Sequence, residues 1–209
     1  MITLYGRKPV LEILLDPEAN IFRLHLAESN QRGDTITQIR KLAQKRDIDI
    51  ITHPKGALSR ISKNARQDQG VAIDIAPPKY QSVEQVSDNA GQLLALDGIT
   101  NPQNLGMIVR SVAASPMNGL LLPKKGCAKI DPLVHKASAG TLIKSSIYHC
   151  PTIESGLKSL RSKGYQLIGL SGGVDRSLGD IGNANGKIVF VLGNETTGIS
   201  EPVLALCDE

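Results

Sequence analysis

The amino-acid sequence predicts an α/β protein with two parts: a small N-terminal α/β/α domain and a C-terminal domain built on a parallel sheet. Short apolar runs such as residues 93–96 and 188–192 are typical of strands that are covered on both faces. These runs alternate with segments of helical periodicity. That order favours a parallel sheet with helices on both sides.

A proline-rich stretch separates the two predicted domains. The consecutive prolines Pro77 and Pro78 remove hydrogen-bond donors and stiffen an extended chain. We therefore expect an N-terminal domain at 1–76, a linker at 77–90 and a C-terminal domain at 91–209.

Each element of the N-terminal domain is predicted from its apolar spacing. Apolar residues recur at helical intervals in three segments and alternate with polar residues in the segments between them. The predicted helices are 6–15, 34–46 and 55–62, and the predicted strands are 21–27, 48–52 and 71–76.

The C-terminal domain is predicted in the same way. Asn101 reads as a helix N-cap with Pro102 at the first helical position, and Asp131-Pro132 begins another helix. In the first of these helices, Met107, Ile108 and Val112 are expected to form the apolar stripe. The predicted strands are 93–96, 119–122, 146–149, 165–170 and 187–192, with a further helix at 153–162.

Composition limits the possible function classes. The formal net charge is +4, and residues 1–80 contain 13 Lys or Arg against 9 Asp or Glu, whereas the remainder is balanced at 11 against 11. This basic excess at one end favours a region that delivers the protein to nucleic acid. Aromatic residues make up 3% with no Trp, so phosphate and shape contacts are expected to outweigh base stacking.

The sequence also predicts that several kinds of site and segment are absent. The four histidines are scattered without metal-ligand spacing, so no metal site is expected. No apolar run reaches about 18 residues, so we expect no membrane span. Three widely spaced cysteines without a disulfide pattern favour a cytoplasmic protein. Gly172-Gly173 is too short for a dinucleotide fingerprint.

The stretch from Asn101 to Arg110 carries the first functional signal. By itself, Asn-Pro-x-Asn-x-Gly-x-x-x-Arg fits an ordinary turn from a strand into a helix, with a capping Asn and a solvated Arg. It also resembles the first signature of the SpoU or TrmH family of knotted RNA methyltransferases. These enzymes methylate ribose 2′-hydroxyls with S-adenosylmethionine.

A second signature lies at the end of the last predicted strand. Ile188 to Leu192 runs into Gly193, Glu195 and Gly198, which is compatible with a plain strand-to-turn junction. The pattern Gly-x-Glu-x-x-Gly resembles the second signature of the same family. Ser138-Ala139-Gly140, between the two signatures, is similar to the family as well.

The resemblance implies an active site and a cofactor. It assigns Arg110, Asn104 and Glu195 to catalysis, and Gly193, Leu170 and Asn194 to S-adenosylmethionine. Because a guanidinium stays charged in proteins, we expect Arg110 to clamp phosphate and stabilise a developing alkoxide. The alternative is that Arg110 acts as the base, which requires that a phosphate or the substrate perturb it strongly. Glu195 either orients Arg110 through an ion pair or acts as an acidic residue at a helix N-terminus.

The N-terminal domain has a resemblance of its own. Tyr5-Gly6-Arg7-Lys8-Pro9-Val10, followed by an α/β unit ending in Gln69-Gly70-Val71, is similar to the substrate-binding domain of family members that act on large-subunit ribosomal RNA. That domain is related in fold to ribosomal proteins. Asp68 stands where the family often has His. The RNA-binding residues predicted from charge and resemblance are Arg7, Lys8, Arg60, Lys63 and Arg66, with a solvated loop as the alternative for the last three.

The family's third signature, which completes the trefoil knot, has no counterpart before Glu209. We therefore expect either a fragment of a longer protein, whose full-length form is a homodimer, or a form that is not an active methyltransferase. The predicted function is methylation of a ribose 2′-hydroxyl, with ribosomal RNA as the expected partner. The alternative is a non-catalytic RNA-binding protein that retains part of the fold.

Overall fold

The computed structural model describes residues 1–30, 33–77, 80–172, 177, 179 and 186–209. The chain divides into two compact units, residues 1–78 with 130–143 and residues 79–129 with 144–209. The domain limits expected from the sequence stay predictions. Residues 78 and 79 of the predicted linker, and Gly173, lie outside the described residues. Within the described part of the chain, no helix has the length and apolarity needed to cross a membrane.

The first unit contains a four-stranded mixed sheet in the order β1-β4-β2-β3. Strand β4 runs antiparallel to both of its neighbours, and β2 runs parallel to β3. Apolar side chains of the first two helices pack with those of the sheet in one core cluster, and Leu58 of the third helix belongs to a second, smaller cluster. The strands are β1 (Ile2–Tyr5), β2 (Ile21–Ala27), β3 (Ile50–His53) and β4 (Val71–Ile75), and the helices are α1 (Arg7–Leu15), α2 (Asp34–Lys45) and α3 (Lys55–Ser62).

Two features of this unit differ from the sequence prediction. Strand β1 was not predicted, because it is held by pairing with β4, a segment far away in the sequence, and in this pairing Leu4 is fully buried. The strand expected at 48–52 begins at Ile50. The reason is that Ile48 still belongs to the end of α2, where its N–H donates to the carbonyl of Ala43 at 2.9 Å.

The second unit contains a six-stranded sheet in the order β5-β8-β7-β6-β10-β9, in which every paired strand is parallel. The parallel sheet expected from the sequence is therefore confirmed. The short strand β5 was not predicted, whereas α7 lies where a helix was expected, after Gly198. The strands are β5 (Gln81–Ser82), β6 (Gln92–Leu96), β7 (Gly119–Pro123), β8 (Ile147–Cys150), β9 (Gln166–Leu170) and β10 (Ile188–Leu192), and the helices are α4 (Pro102–Ala113), α6 (Ile153–Ser162) and α7 (Glu201–Leu204).

The start of α4 forms as predicted, but its buried face does not. Asn101 Oδ1 accepts a hydrogen bond from Gln103 N at 2.8 Å, which confirms the N-cap. The buried positions include Leu105, Val109 and Val112, which follow the i, i+4, i+7 spacing, whereas Met107 is 56% exposed. The predicted apolar stripe was therefore wrong at Met107, because it is shifted by about one residue from the face of the helix that is buried.

Helix α5 (Pro132–Ala137) belongs to the first unit although it lies in sequence between β7 and β8. Its Lys136 Nζ donates to the carbonyl of Gln67 at 2.8 Å. Gly140 has φ +88, and a Cβ there would lie 2.7 Å from Cβ of Glu12 in α1. A glycine is therefore required where this segment packs on α1.

Arg46 stabilises the first unit by binding backbone carbonyls at and beyond the end of α1. Its Nη1 donates to the carbonyls of Leu14 at 3.1 Å and Asp16 at 2.7 Å, and its Nη2 to that of Ala19 at 2.7 Å. We expect Arg46→Ala to lower the free energy of unfolding by about 3 kcal/mol, because these acceptors lose a charged donor. Denaturant titration checks this against Lys45→Ala, an exposed neighbour. Equal effects of the two substitutions would contradict the capping role.

His135 in α5 makes the stability of the first unit dependent on pH. Burial, opposed in part by Asp131, lowers the pKa of His135 from 6.5 to about 4. The unfolded chain takes up a proton near pH 6.5 while the folded chain resists it, so stability falls as the pH drops from about 6.5 to about 4, by up to about 3 kcal/mol. We expect His135→Leu to remove this loss, as measured by urea unfolding between pH 4 and 7.5. A difference from the parent chain that is constant across this range would contradict a neutral, buried imidazole.

Candidate functional site

The predicted site residues of the second unit lie where the strand order of its sheet reverses. β6 and β10 are parallel neighbours, with Leu96 paired to Leu192. After β6 the chain continues to β7, which is the neighbour of β6 on one side in the strand order. The neighbour of β6 on the other side is β10, which pairs in turn with β9. Open α/β sheets bind ligands in the crevice at the carboxyl ends of such strands.

Three hydrogen bonds join the loops that follow β6 and β10. Asp97 Oδ2 accepts from Ser200 N at 2.7 Å, and Asn194 Nδ2 donates to the carbonyl of Gly98 at 2.8 Å. Asn104 Nδ2, in the first turn of α4, donates to Glu195 Oε1 at 2.8 Å. We call residues 97–104 and 193–200 together the strand-end cradle.

The second loop of the cradle is closed by its own backbone. Asn194 and Gly198 exchange two backbone hydrogen bonds of 2.9 Å, and Asn194 Oδ1 accepts from the N–H groups of Thr196 and Thr197. A Cβ on Gly193 would lie 2.2 Å from Gly198 C and from Ile199 N. Gly193 is therefore required because the backbone of residues 198 and 199 packs directly against it. The sequence pattern predicts instead that a ligand lies close to this glycine.

Glu195 pairs with a different residue from the one considered in the sequence analysis. Its carboxylate accepts from Asn104, and no ion pair with Arg110 forms in the described residues. Arg110 is exposed in the last turn of α4, six residues and about 9 Å along the helix axis from Asn104. Its guanidinium has no hydrogen-bond partner among the described residues, so it is free to meet a substrate.

The residues predicted to hold a cofactor share the carboxyl edge of the sheet. Leu170 ends β9 at the level of Leu192, and Gly193 follows directly. The side chain of Asn194 holds the two loops together through one N–H of its amide group. The second N–H of this amide has no hydrogen-bond partner among the described residues. The predicted roles of Leu170, Gly193 and Asn194 in cofactor binding stay predictions.

Sequence reasoning missed Asp97, whose side chain links the first cradle loop to the start of α7. The only signal was an acid directly after an apolar strand. Cys127 also lies at this edge, with Sγ 3.5 Å from the carbonyl of Leu96. Burial raises the pKa of the Cys127 thiol, which favours its protonated form.

The predicted RNA-binding residues lie in the first unit. Lys8, Arg60, Lys63 and Arg66 are exposed. Arg7 is half-buried, and its Nη2 donates to Asn30 Oδ1 at 2.8 Å.

Asp68, which stands where the family often has His, shapes the loop beside these residues. It is 5% exposed, and its two carboxylate oxygens accept from Gly70 N at 2.9 Å and from Ser62 Oγ at 2.9 Å. These bonds hold the turn in which Gln69 adopts φ +54. Asp68 therefore has a structural role in this turn.

The structure also joins two histidines that sequence reasoning treated as scattered. His25 Nδ1 lies 2.9 Å from His53 Nε2, and His25 Nε2 lies 3.1 Å from Asp74 Oδ2. Thr3 Oγ1 donates to Asp74 Oδ1 at 2.6 Å, so the chain of polar contacts crosses all four strands. Desolvation, with a smaller effect from His25, lowers the pKa of His53. The described residues contain no group of three or more side chains arranged to hold a metal ion.

Two family profiles match the chain. Residues 91–209 match the SpoU rRNA Methylase family, and residues 3–81 match the profile described as RNA 2′-O ribose methyltransferase substrate binding.

Curated relatives match nearly the whole chain. An uncharacterized tRNA/rRNA methyltransferase of Mycobacterium sp. strain KMS is 32% identical over 209 residues, covering 97% of this chain and 66% of that protein. Another, from Mycobacterium marinum, is 31% identical over 212 residues, covering 99% of this chain and 67% of its own. The chain thus spans about two thirds of the length of these relatives.

Solved structures share the fold. The SpoU methyltransferase AviRb from Streptomyces viridochromogenes, solved with AdoMet, matches with a TM-score of 0.77 at 19% identity over 99% of this chain and 78% of that chain. An AdoMet-bound rRNA methyltransferase from Sinorhizobium meliloti matches with a TM-score of 0.70 at 19% identity over 99% and 75%. At these identities the likeness shows the fold alone, and it confirms the predicted fold class.

Proposed function

Because the chain belongs to the SpoU rRNA methylase family, we propose that it acts as an RNA methyltransferase that modifies a ribose 2′-hydroxyl with S-adenosylmethionine as the methyl donor. The observation that carries this proposal is the Asn104–Glu195 hydrogen bond, which joins the two signature loops at the point where the strand order reverses.

The strand-end cradle suits S-adenosylmethionine in its chemistry. Among the described residues, the Glu195 carboxylate accepts a hydrogen bond only at Oε1, from Asn104. Its other oxygen is therefore free to accept from a cationic ligand. The half-buried Leu170 lies at the same edge, and a Cβ at Gly198 would meet nothing within 4 Å, so there is open space beside Gly198. A ligand with a cationic group and a flat ring that packs on an aliphatic side chain fits this combination. When bound, S-adenosylmethionine supplies an activated methyl group.

Arg110 is the residue proposed to act on the RNA. Transfer requires that one ribose hydroxyl be held in line with the methyl group. The new oxygen–carbon bond forms as the bond from the methyl group to sulfur breaks, which leaves S-adenosylhomocysteine, and the hydroxyl proton is released to solvent water. A guanidinium remains charged, so Arg110 stabilises the developing alkoxide and holds a flanking phosphate. Its exposure and lack of a protein partner in the described residues support this role.

The N-terminal unit is proposed to bind the RNA. It carries the basic excess of the chain, and it matches the substrate-binding profile. Relatives are described as tRNA/rRNA methyltransferases, and of these two RNA classes we propose large-subunit ribosomal RNA as the substrate. We further propose a cytoplasmic location, on the basis of three widely spaced cysteines without a disulfide pattern, and a homodimer, on the basis of the family resemblance.

A methyl-transfer assay tests the proposal. The purified chain is incubated with radiolabelled S-adenosylmethionine and either ribosomal RNA or transfer RNA, and modified riboses are mapped at nucleotide resolution. We expect 2′-O-methylation of one site in ribosomal RNA. RNA binding without any methyl transfer, both by this chain and by a form extended through its reading frame, would instead support the non-catalytic RNA-binding alternative. Light scattering of the same sample reports whether the chain is a dimer.

A further inference from the structure

Asp97 is the first residue after β6, and it lies outside both signature patterns, which begin at Asn101 and Gly193. Its backbone N–H donates to the carbonyl of Leu192 at 2.9 Å, which extends the pairing of β6 with β10 by one residue. Its carboxylate Oδ2 accepts from Ser200 N at 2.7 Å. Asp97 therefore contacts the chain at both ends of the loop that follows β10.

The loop between these two contacts, residues 193–199, carries the second signature. Its backbone is closed on itself between Asn194 and Gly198. Its exit lacks such a closure, because Ser200 is extended, with φ −65 and ψ 147, and α7 begins at the next residue. Among the described residues, Asp97 Oδ2 is the one acceptor of the Ser200 N–H. The direction of the chain at the exit of the loop therefore depends on Asp97.

The contact at Ser200 restrains a part of the loop that the other contacts between the cradle loops do not reach. Asn194 and Glu195, whose side chains bond to the first cradle loop, both lie near the start of the second. Gly198, near its end, has φ +71, a conformation open to glycine. A carboxylate makes a shorter and stronger hydrogen bond to an N–H group than a neutral oxygen does. Asp97 therefore limits the conformations of the second half of the loop.

We propose that Asp97 is a positioning residue for the methyl donor: by accepting from Ser200 N, it holds residues 193–199 in the conformation that binds S-adenosylmethionine. The inference rests on the proposed function and adds a residue that the signature patterns do not include. Without this bond, a smaller fraction of the chain has the binding conformation, and the apparent affinity falls by that fraction. The role requires a hydrogen-bond acceptor at position 97, because the group that is held is an N–H.

The test compares Asp97→Ala, which removes the acceptor, with Asp97→Asn, whose amide oxygen can still accept from Ser200 N. Calorimetry with S-adenosylmethionine measures the dissociation constant of each whole chain. We expect Asp97→Ala to raise it about tenfold, the range of one hydrogen bond to a charged group, and Asp97→Asn to raise it less than about threefold. In methyl-transfer assays the loss in Asp97→Ala is expected in KM for S-adenosylmethionine, with kcat changed less than about twofold.

Thr152→Ala is the matched control for a general loss of stability. Thr152 Oγ1 accepts from Ser155 N at 3.2 Å at the start of α6, so this substitution also removes an acceptor of a backbone N–H in the second unit. We expect it to lower the midpoint of urea unfolding but to change the dissociation constant of S-adenosylmethionine less than about twofold. A measurement on the unsubstituted chain needs no variant to fold: saturating S-adenosylmethionine should slow hydrogen exchange at the Ser200 N–H.

Each contrary result identifies what is wrong. If Asp97→Ala binds S-adenosylmethionine as tightly as the unsubstituted chain, or if exchange at Ser200 does not slow, the positioning role is wrong and the proposed function stands. Equal losses of affinity in Asp97→Asn and Asp97→Ala would show that the effect does not act through the Ser200 N–H. An equal loss in Thr152→Ala would assign the effect to stability alone. If the unsubstituted chain does not bind S-adenosylmethionine, the proposed function and the role of Asp97 fail together.

Discussion

Replacing Arg110 with alanine is expected to reduce methyl transfer at least about 100-fold while leaving the free energy of unfolding within about 0.5 kcal/mol. Arg110 is exposed near the end of α4, and among the described residues its side chain makes no hydrogen bond or ion pair that an alanine would break. The loss would therefore come from the transition state, where the guanidinium stabilises the negative charge that develops on the ribose oxygen. Single-turnover assays with saturating S-adenosylmethionine, together with denaturant titration, measure the two quantities.

Lys158→Ala is the control for this experiment. Lys158 is also an exposed cation on a helix of the second unit, so its loss removes one positive charge without touching the strand-end cradle. We expect its effect on the rate to be less than about twofold, as for an isolated surface charge. Methyl transfer by Arg110→Ala at the rate of the Lys158→Ala variant would remove Arg110 from the mechanism.

Gly193→Ala is expected to have the largest effect on the cradle itself. The new Cβ would lie 2.2 Å from Gly198 C and from Ile199 N, and both are backbone atoms that move only if the loop moves. Overpacking of this kind costs typically 1–3 kcal/mol and more when backbone is displaced, so we expect a loss of at least about 3 kcal/mol of stability. The displaced loop would also lose the Asn104–Glu195 contact, and with it the affinity for S-adenosylmethionine. Thermal unfolding and calorimetry with the cofactor measure these effects.

Gly186→Ala provides the comparison within the same unit. A Cβ at Gly186 would meet nothing within 4 Å, so we expect the substitution to be near neutral in both measurements. Unchanged stability and cofactor affinity in Gly193→Ala would show that residues 198 and 199 do not approach Gly193 as closely as the structure has them.

Structural features that depend on residues close together in the sequence could be predicted from the sequence. The apolar runs that became β6 and β10 end directly at the two signature loops. The caps Asn101 and Asp131 were readable because a side-chain oxygen satisfies N–H groups two or three residues away. The same local chemistry misled at Met107, since apolar content alone does not say which of two adjacent stripes faces the sheet.

What the sequence by itself determined is the order of elements, the parallel character of the larger sheet and the two loops that carry the family signatures. Only the tertiary structure decided which side chains of those loops meet. Asn104 and Glu195 are separated by 91 positions, and their 2.8 Å contact depends on β6 and β10 being neighbours. The pairing of His25 with Asp74 and the capping of α1 by Arg46 depend on strand order and packing in the same way. Such contacts follow from the register of distant segments, which no local pattern of residues encodes.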